Sequence, residues 1–129
     1  MIHSLSTDFL IRIKNGYRAG RKTIQAPASK FCIAIAELLK KNGYIVNYTI
    51  SGEIIKELTI ELLYNDGQPK VTDVRLYSKP GRRFYSNHIK LPWGKTPTSL
   101  IIVSTSSGVM TQKQAKVKGL GGEIIAEIF

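Results

Sequence analysis

The sequence predicts an α/β protein of two small domains: an N-terminal α-β-α-β-β domain at residues 1–66, and a C-terminal domain at residues 67–129 that is mostly antiparallel β with a short helix. In the first half, apolar residues recur at helical spacing in two segments and alternate with polar residues in two others. The second half has short apolar runs separated by turn formers. With 129 residues, 43% of them hydrophobic, the chain can bury a core.

The first predicted helix is short and ends near Gly16. Ser6, Thr7 and Asp8 offer capping residues ahead of it. Its apolar face consists of Phe9, Leu10, Ile13 and Tyr17. Residues 22–26 then predict a strand that stops at Pro27, because proline cannot donate the next hydrogen bond of the ladder.

A second helix is predicted after Ser29, its expected cap, and it ends in the cationic turn at residues 40–43. Its apolar face consists of Phe31, Ala34, Ile35, Leu38 and Leu39. Cys32, the one cysteine of the chain, lies in this apolar run. We therefore expect a small buried hydrophobe in a reducing compartment rather than a catalytic thiol.

Two strands are predicted next, at residues 44–50 and 53–64, joined by a turn at Ser51 and Gly52. Both alternate apolar and polar residues, which predicts an antiparallel pair with one wet face. In the second strand the sets expected to face the core and the solvent are Leu58, Ile60 and Leu62, and Glu57, Thr59 and Glu61.

The densest cluster of turn formers, at residues 65–69, marks the expected domain boundary. Beyond it, strands are predicted at residues 71–78, 84–85, 98–105 and 123–129, and a short helix at residues 111–118. Turns at residues 79–81 and 91–94 separate these elements.

Residues 74–122 contain no aspartate or glutamate, and the whole chain carries a net charge of +10. The basic residues of this segment are Arg75, Lys79, Arg82, Arg83, Lys90, Lys95, Lys113, Lys116 and Lys118. A stretch of one sign repels itself unless a polyanion offsets it, so nucleic acid is the expected partner. The alternative is a basic solvated face without a dedicated ligand. A second cationic patch consists of Arg12, Lys14, Arg18, Arg21, Lys22 and Lys30.

The N-terminus shows no secretory signal, and no apolar run reaches the roughly twenty residues that a membrane span requires. The sequence therefore predicts a soluble, cytoplasmic protein with no membrane partner. An organelle-encoded chain would look the same.

Short hydroxyl side chains are concentrated at residues 104–111, directly after a very apolar strand. They can bond ribose hydroxyls and base edges, and glycine lets a backbone approach closely. The residues expected to make these contacts are Thr105, Ser106, Ser107 and Gly108. They favour RNA over DNA, because the minor groove of A-form RNA is wide, shallow and lined by ribose hydroxyls. The alternative is an ordinary turn that caps the next helix, since Thr111 and Gln114 have capping-box spacing.

Residues 113–123 supply further candidate contacts. Lys113 and Lys116 lie on one side of the predicted helix and are expected to contact phosphates, with a solvated helix face as the alternative. Gly121 and Gly122 are expected to allow close approach to a ribose or base. The adjacent Glu123 carboxylate can accept hydrogen bonds from base amines.

Residues 79–85 combine cationic groups with aromatic rings on a stiff turn, which suits phosphate bonding and stacking. The candidate contacts are Lys79, Arg83 and Tyr85. Phe84 is expected to belong to the core, with Tyr85 at its rim.

The sequence predicts no enzyme, no metal site and no cofactor. His3 and His88 stand in polar contexts with no cysteine or carboxylate at metal-ligand spacing. A serine nucleophile would need a histidine held by an acid, and the acid-free segment offers His88 none nearby.

Residues 104–111 and 119–123 closely resemble the C-terminal signature of the small-subunit ribosomal protein eight family, bacterial type. Residues 8–15 resemble its first helix and residues 27–30 the entry of its second. Residues 78–81 resemble its central loop, together with Arg83 and Tyr85. The resemblance covers essentially the whole chain. Ser107 and Gln112 depart from the pattern, since many relatives have lysine and aspartate there.

This resemblance implies a two-domain structural protein of the small ribosomal subunit. It would bind a helix of the central domain of small-subunit rRNA and support assembly of the subunit platform. Thr105, Ser106 and Ser107 would bond the RNA, residues 121–123 would lie against it, and Arg12 and Lys14 would hold a second RNA segment. Neighbouring small-subunit proteins, among them protein five, are implied partners. The alternative function is repression of translation by binding a similar hairpin in the operon messenger.

Overall fold

The computed structural model describes residues 2–79, 81–88 and 99–129. Over these residues the helices are α1 (Ile2–Arg18), α2 (Lys30–Lys41) and α3 (Gln112–Lys118). The strands are β1 (Thr23–Pro27), β2 (Ile45–Ser51), β3 (Glu57–Leu62), β4 (Tyr64–Asn65), β5 (Gln68–Pro69), β6 (Val74–Leu76), β7 (Tyr85–Ser86), β8 (Leu100–Thr105), β9 (Gly108–Thr111) and β10 (Gly122–Ile128). The predicted α/β class is confirmed.

Three antiparallel sheets organise the described strands. The N-terminal sheet has the order β1-β3-β2, and β4 pairs with β5 in a small hairpin. The C-terminal sheet has the order β6-β10-β8-β9, and β7 also pairs with β10. Some predicted features lie outside the described residues: Pro80, Lys90, Lys95, Thr98 and the turn at residues 91–94.

Helix α1 begins earlier than predicted, so the expected cap residues 6–8 lie inside it. Residues 2–5 contain no glycine or proline that would end a helix. Gly16 also lies inside the helix, not at its end. A Cβ there would come within 2.4 Å of Ile24 Cγ2 and 3.1 Å of Leu62 Cδ1, so the missing side chain lets α1 pack closely on the sheet. The predicted apolar face is confirmed as buried: Phe9, Leu10, Ile13 and Tyr17.

Helix α2 begins as predicted, because the Ser29 hydroxyl accepts a hydrogen bond from the Cys32 backbone N–H at 3.1 Å. It ends where Gly43 adopts a φ of 75°, and the next backbone N–H groups bond back to the last turn. The buried residues of the helix are Cys32, Ile35, Ala36, Leu38 and Leu39. Phe31 and Ala34, predicted to be buried, are only partly so.

Burial raises the pKa of the Cys32 thiol, despite hydrogen bonding to Ser29. The thiol is therefore neutral and inaccessible at neutral pH. This is the structural role that the sequence predicted for it.

The predicted alternation of β3 is confirmed, with Leu58, Ile60 and Leu62 buried. The strand starts later than expected, because its register pairs Ser51 with Glu57 and leaves residues 52–56 as the connection. Strand β1 runs one residue further than predicted and includes Pro27. A proline is tolerated there since β1 lies at the edge of its sheet.

The C-terminal strands were predicted in the right places with imprecise ends. Strand β6 is shorter than the predicted segment at 71–78, because Thr72 and Asp73 donate their backbone N–H groups to the Phe129 carbonyl outside the strand ladder. Strand β9 was not predicted. Strand β8 is apolar on both faces, as is typical of a strand covered on both sides.

Most of the core is one cluster that draws on both halves of the chain. Residues of α1, α2 and the N-terminal sheet pack in it with Leu100, Ile102, Ile125 and Ile128 of the C-terminal sheet. A smaller cluster on the other face of β8 and β10 consists of Ile101, Val103, Met110, Ala115 and Ile124. The C-terminal sheet is thus covered on both faces.

The two halves are also linked by charge. The Lys14 Nζ lies 3.0 Å from an Asp73 carboxylate oxygen, and an Arg18 nitrogen lies 3.7 Å from the same atom. The Lys14 hydrogen bond holds the pKa of Asp73 below its usual value. The division at residues 66 and 67 stays a prediction; it coincides with the β4–β5 turn, where Asp66 and Gly67 both have positive φ.

The Tyr17 hydroxyl joins three elements at the base of the N-terminal half. It donates to the Tyr44 carbonyl oxygen at 2.6 Å, and it accepts from the Leu63 backbone N–H at 3.0 Å. Burial raises the pKa of Tyr17 to about 12. The Tyr17 hydroxyl therefore satisfies the Leu63 N–H, which follows β3, and the Tyr44 carbonyl, which precedes β2.

We expect Tyr17→Phe to lower the free energy of unfolding by about 1–3 kcal/mol, because it leaves two buried backbone groups unpaired. Urea unfolding at pH 7 measures this. Tyr64→Phe is the matched control: its exposed hydroxyl donates to the Arg21 carbonyl, and water can take its place. If Tyr17→Phe lost no more free energy of unfolding than Tyr64→Phe, the stabilising role of the Tyr17 hydroxyl would be contradicted.

Tyr17→Phe should also change how the free energy of unfolding depends on pH. Tyrosine becomes an anion on deprotonation, and its folded pKa lies above the unfolded value near 10. The contribution of the Tyr17 hydroxyl to the free energy of unfolding is therefore complete below about pH 10, and it is lost as the pH rises toward 12. We expect the loss of stability over this interval to be smaller in Tyr17→Phe than in the parent chain.

Candidate nucleic-acid interface

The hydroxyl-rich segment forms the tip of the β8–β9 hairpin. Thr105 pairs with Gly108 across a two-residue loop of Ser106 and Ser107. The Thr105 hydroxyl donates to the Gly108 carbonyl at 2.9 Å and accepts from the Ser107 backbone N–H at 3.1 Å. The residues of this tip that are exposed are Ser106, Ser107 and Gly108. Thr105 therefore fixes the turn, while the two serine side chains face solvent.

The helix cap is a separate feature from this tip. The Thr111 hydroxyl accepts from the Gln114 backbone N–H, and the Gln114 side chain accepts from the Thr111 backbone N–H, both at 3.1 Å. The sequence left two alternatives for residues 104–111: contact with RNA, or an ordinary turn that caps the next helix. Thr111 caps α3, and the serines lie earlier, at the hairpin tip. Gln112 is buried and accepts from the Ile101 backbone N–H at 3.0 Å, which gives this position a structural role.

Helix α3 presents its cations to solvent. Ala115 packs in the smaller core cluster, while Lys113 and Lys116 are exposed on the other side. Gly119 ends the helix in the left-handed conformation, with a φ of 68°. The chain then turns directly into β10.

Gly121 precedes β10 and Gly122 begins it, at a point of very close backbone approach. A Cβ on Gly121 would lie 2.4 Å from the Ser86 carbonyl oxygen, and one on Gly122 would lie 2.1 Å from that of Ser104. The sequence predicted such approach toward a ribose or base. The atoms that a Cβ would meet belong to the chain itself, which is a structural reason for glycine here. Approach of this backbone to a ribose or base stays a prediction.

Glu123 lies between the two other candidate segments. Its strand partners are Ser104 on β8 and Tyr85 on β7. Its side chain is 4% exposed, so the carboxylate lies beneath the surface that the sequence expected it to occupy. A direct bond from this carboxylate to a base amine stays a prediction.

The loop at residues 77–86 is held by two sets of hydrogen bonds. Lys79 and Arg82 exchange backbone bonds of 2.9 Å around a tight turn. Buried Ser78 accepts from the Phe84 backbone N–H at 2.9 Å and donates to the Phe84 carbonyl at 3.3 Å. This loop exposes Lys79 and Tyr85, whose side chain is 64% exposed, and it leaves Arg83 partly exposed.

Phe84 does not belong to the core, contrary to the sequence prediction. It is 45% exposed and packs against the Tyr77 ring, with the ring centroids 5.4 Å apart. The Arg75 guanidinium lies 5.1 Å from the Tyr77 centroid, which completes a cation–aromatic stack. Sequence reasoning missed this stack, although Arg75 and Tyr77 have the two-residue spacing that places side chains on one face of an extended chain.

Arg12 and Lys14 do not form one surface patch. The Arg12 guanidinium donates to the Gln25 carbonyl at 3.1 Å, and it lines a groove of about 350 Å³ together with Arg21. Lys14 instead lies at Asp73, in the ion pair that links the two halves. Residues two apart on a helix point in different directions, which the prediction of a shared patch neglected.

Charge on the C-terminal surface is nearly one-signed for a structural reason. The acids of residues 67–129 are Asp73, Glu123 and Glu127. Glu123 and Glu127 are buried, and Asp73 is paired with Lys14. The exposed cations of α3 and of the loop at residues 77–86 therefore have few anions to offset them.

Within the described residues, no three histidine, cysteine, aspartate or glutamate side chains come together to hold a metal ion. None of the described helices has both the length and the apolar character that crossing a membrane demands.

The chain is similar to a known family along nearly all its length. The family model described as ribosomal protein S8 matches residues 5–129. A protein named small ribosomal subunit protein uS8 from Tolumonas auensis is 43% identical over 121 residues, 94% of this chain and 93% of that protein. The protein of that name from Shewanella putrefaciens is 41% identical with the same coverage. The one from Pseudomonas savastanoi pv. phaseolicola is 40% identical over 122 residues, 95% of this chain and 94% of its own.

We expect Gly122→Ala to lower the free energy of unfolding by roughly 1–3 kcal/mol, because β8 and β10 must separate to admit a methyl group. Thermal or urea unfolding measures it. The comparison variant is Gly119→Ala, which has open space for a Cβ and only its left-handed backbone to strain. If both variants lost the same free energy of unfolding, β8 and β10 would be able to separate at Gly122 without a cost of their own.

Proposed function

From the premise that the chain belongs to the ribosomal protein S8 family, we propose that it is a structural constituent of the small ribosomal subunit. It binds a helix of the central domain of small-subunit rRNA and supports assembly of the subunit platform. The relatives named above are small-subunit proteins, which are structural rather than enzymatic.

The observation that carries the proposal is the convergence of three distant segments on the start of β10. Strand pairing places Glu123 between Ser104 at the β8–β9 hairpin and Tyr85 in the cationic loop. Helix α3 leads directly into the same strand. The serine hydroxyls, the C-terminal end of α3 and Tyr85 therefore belong to one contiguous region of the C-terminal half. Lys113, at the other end of α3, lines a groove with Tyr44 and Phe129.

The chemistry of this region suits folded RNA. The Thr105 hydrogen bonds hold Ser106 and Ser107 at an exposed tip, where their hydroxyls can reach ribose hydroxyls and base edges. A wide, shallow minor groove admits such a tip. Close to it, Gly122 lets β10 approach the end of β8, because a Cβ there would overlap the Ser104 carbonyl.

Affinity and selectivity are expected to come from different residues. Lys79, Arg83, Lys113 and Lys116 would neutralise phosphates, which binds any RNA and weakens with salt. Tyr85, largely exposed, would stack on an unpaired base. The hairpin tip would supply selectivity for one RNA shape, because its bonds require hydroxyls at fixed positions.

The wider setting follows from the family. We place the protein on the ribosome, cytoplasmic or organellar, beside other small-subunit proteins, of which protein five is one candidate. Repression of the operon messenger would use the same surface on a similar hairpin, so it is not a separate site. Arg12, with Arg21, is the N-terminal candidate for a second RNA segment, whereas Lys14 is engaged with Asp73.

We expect Ser106→Ala to weaken binding to the cognate rRNA helix by about 1–3 kcal/mol, since it leaves a polar RNA group unpaired. Binding to a scrambled RNA of equal length should barely change. Lys113→Ala should weaken both RNAs similarly and reduce the slope of log K against log salt by about 1. Titration of both RNAs at several salt concentrations measures these effects.

Lys56→Ala is the matched control, because it removes an exposed lysine from the β2–β3 connection in the N-terminal half. It should change neither RNA affinity nor the salt slope. If Ser106→Ala and Lys113→Ala reduced the affinity for both RNAs equally, the proposal that the serine gives selectivity and the lysine gives general affinity would be rejected. The absence of any preference of the parent chain for the cognate helix would reject the function.

A further inference from the structure

Strands β6 and β7 are two pieces of one edge of the described C-terminal sheet, since both pair antiparallel with β10. Between them, the Tyr77 N–H donates to the Ile125 carbonyl at 3.0 Å, and the Phe84 carbonyl accepts from the Ile124 N–H at 2.8 Å. Because these two partners are adjacent on β10, residues 78–83 form a loop inserted into an edge strand. Tyr77 and Phe84 lie at the two ends of this inserted loop.

The two ends of the inserted loop are fastened together. The Ser78 hydroxyl bonds both the N–H and the carbonyl of Phe84, and the Phe84 ring contacts the Tyr77 ring. Tyr77 in turn packs against the smaller core cluster and lies beneath the guanidinium of Arg75, the strand partner of buried Glu127. Phe84 is therefore held by its backbone and by a ring contact, although the residue is 45% exposed.

Phe84 and Tyr85 point to opposite faces of the sheet, because successive side chains of an extended chain alternate. Phe84 contacts Tyr77, which packs on the same cluster as Ala115 of α3, so Phe84 lies on the α3 face. Tyr85 lies on the other face, with its strand partner Glu123. A single base therefore cannot stack on both rings.

The charge around Phe84 selects among possible occupants of its ring. Lys79 and Arg82 of the inserted loop are exposed, and Arg83 is partly exposed. The acids of residues 67–129 are buried or paired with Lys14, so they do not offset these cations. A nucleotide satisfies both features, because its base stacks on an aromatic ring while its phosphate meets the cations. An apolar protein side chain would leave the cations without a partner.

The base that reaches this ring must be unpaired. Bases within an A-form helix are stacked on one another, and proteins stack aromatic side chains on bases of loops, bulges and ends. The Phe84 ring lies at the edge of the sheet, where a strand leaving a helix can pass. The ring therefore suits a nucleotide beside the helix rather than within it.

Resting on the function proposed above, we propose that Phe84 is a second stacking platform for RNA. An unpaired base of the small-subunit rRNA stacks on its exposed ring, and the flanking phosphates bind Lys79 and Arg82. This nucleotide differs from the one that Tyr85 would contact. One RNA strand that passes along the β6–β7 edge presents a base to each face.

Photo-cross-linking locates the nucleotide. The full chain carrying Phe84→p-benzoylphenylalanine is bound to a central-domain rRNA fragment and irradiated, and the cross-linked position is mapped by primer extension. The expected result is a cross-link to a nucleotide that is unpaired in the fragment. A cross-link to paired nucleotides alone, or no cross-link to the RNA, would overturn the platform.

A matched pair of variants tests stacking. Phe84→Leu keeps an apolar side chain without the ring and should weaken binding to the fragment roughly tenfold, whereas Phe84→Trp keeps a ring and should bind like the parent chain. An abasic residue at the cross-linked position should weaken binding of the parent chain by a similar factor, which does not depend on how a variant folds. The abasic RNA should show no further loss with Phe84→Leu. If Phe84→Leu lowered the affinity for the intact and the abasic RNA equally, the platform would be overturned.

Tyr85→Leu distinguishes two platforms from one. The losses from Phe84→Leu and Tyr85→Leu should multiply in the double variant, because the two rings hold different bases. A double variant that binds no more weakly than either single variant would show that the rings share one base, contrary to the proposal.

The parent chain is titrated in parallel with the fragment and with a scrambled RNA of equal length. Selective binding by the parent chain together with unchanged affinity of Phe84→Leu would overturn the platform alone. If the parent chain did not prefer the fragment, the proposed function would fail, and the platform with it.

Discussion

Strand β10 is hydrogen bonded along both edges, and the candidate interface depends on this constraint. It pairs with β8 on one side and with β6 and β7 on the other. Gly122 allows the approach to β8, because any Cβ there would overlap the Ser104 carbonyl. Since β10 has no free edge over which to slip, its register fixes the spacing between the hairpin tip, Glu123 and Tyr85. The interface is thus built on a rigid element although its contact groups lie in turns.

Burial explains how so basic a chain folds. Strands β8 and β10 bury apolar side chains on both faces, so the described cations of the second half lie in turns, on helix α3 and on the edge strand β6. Carboxylates are distributed in the opposite way. Glu123 and Glu127 are buried in the C-terminal sheet, while Glu57 and Glu61 are exposed on the far sheet. The exposed surface of the C-terminal half is therefore strongly cationic, which suits contact with a phosphate backbone.

Features governed by local chemistry could be predicted from the sequence, and those set by tertiary approach could not. The Ser29 cap, the Thr111 capping box and the alternation of β3 depend on neighbouring residues. Gly16 was predicted to end a helix, and the packing of Gly122 against β8 was not predicted, because only the fold shows which side chain or strand lies against each glycine. Phe84 was assigned to the core on hydrophobicity, but the Ser78 hydrogen bonds place it at the surface beside Tyr77. Of the candidate site, sequence identified the segments, and strand pairing brought them together.

The state of Cys32 makes the chain convenient for spectroscopy. Its thiol is buried and neutral, and it is the one cysteine that the sequence contains. A maleimide dye would therefore react selectively with a cysteine introduced at an exposed turn, with no need to remove the native one. Fluorophores attached in this way at the β8–β9 hairpin tip and at the β2–β3 connection could follow, in a single assembling particle, the order in which each becomes covered.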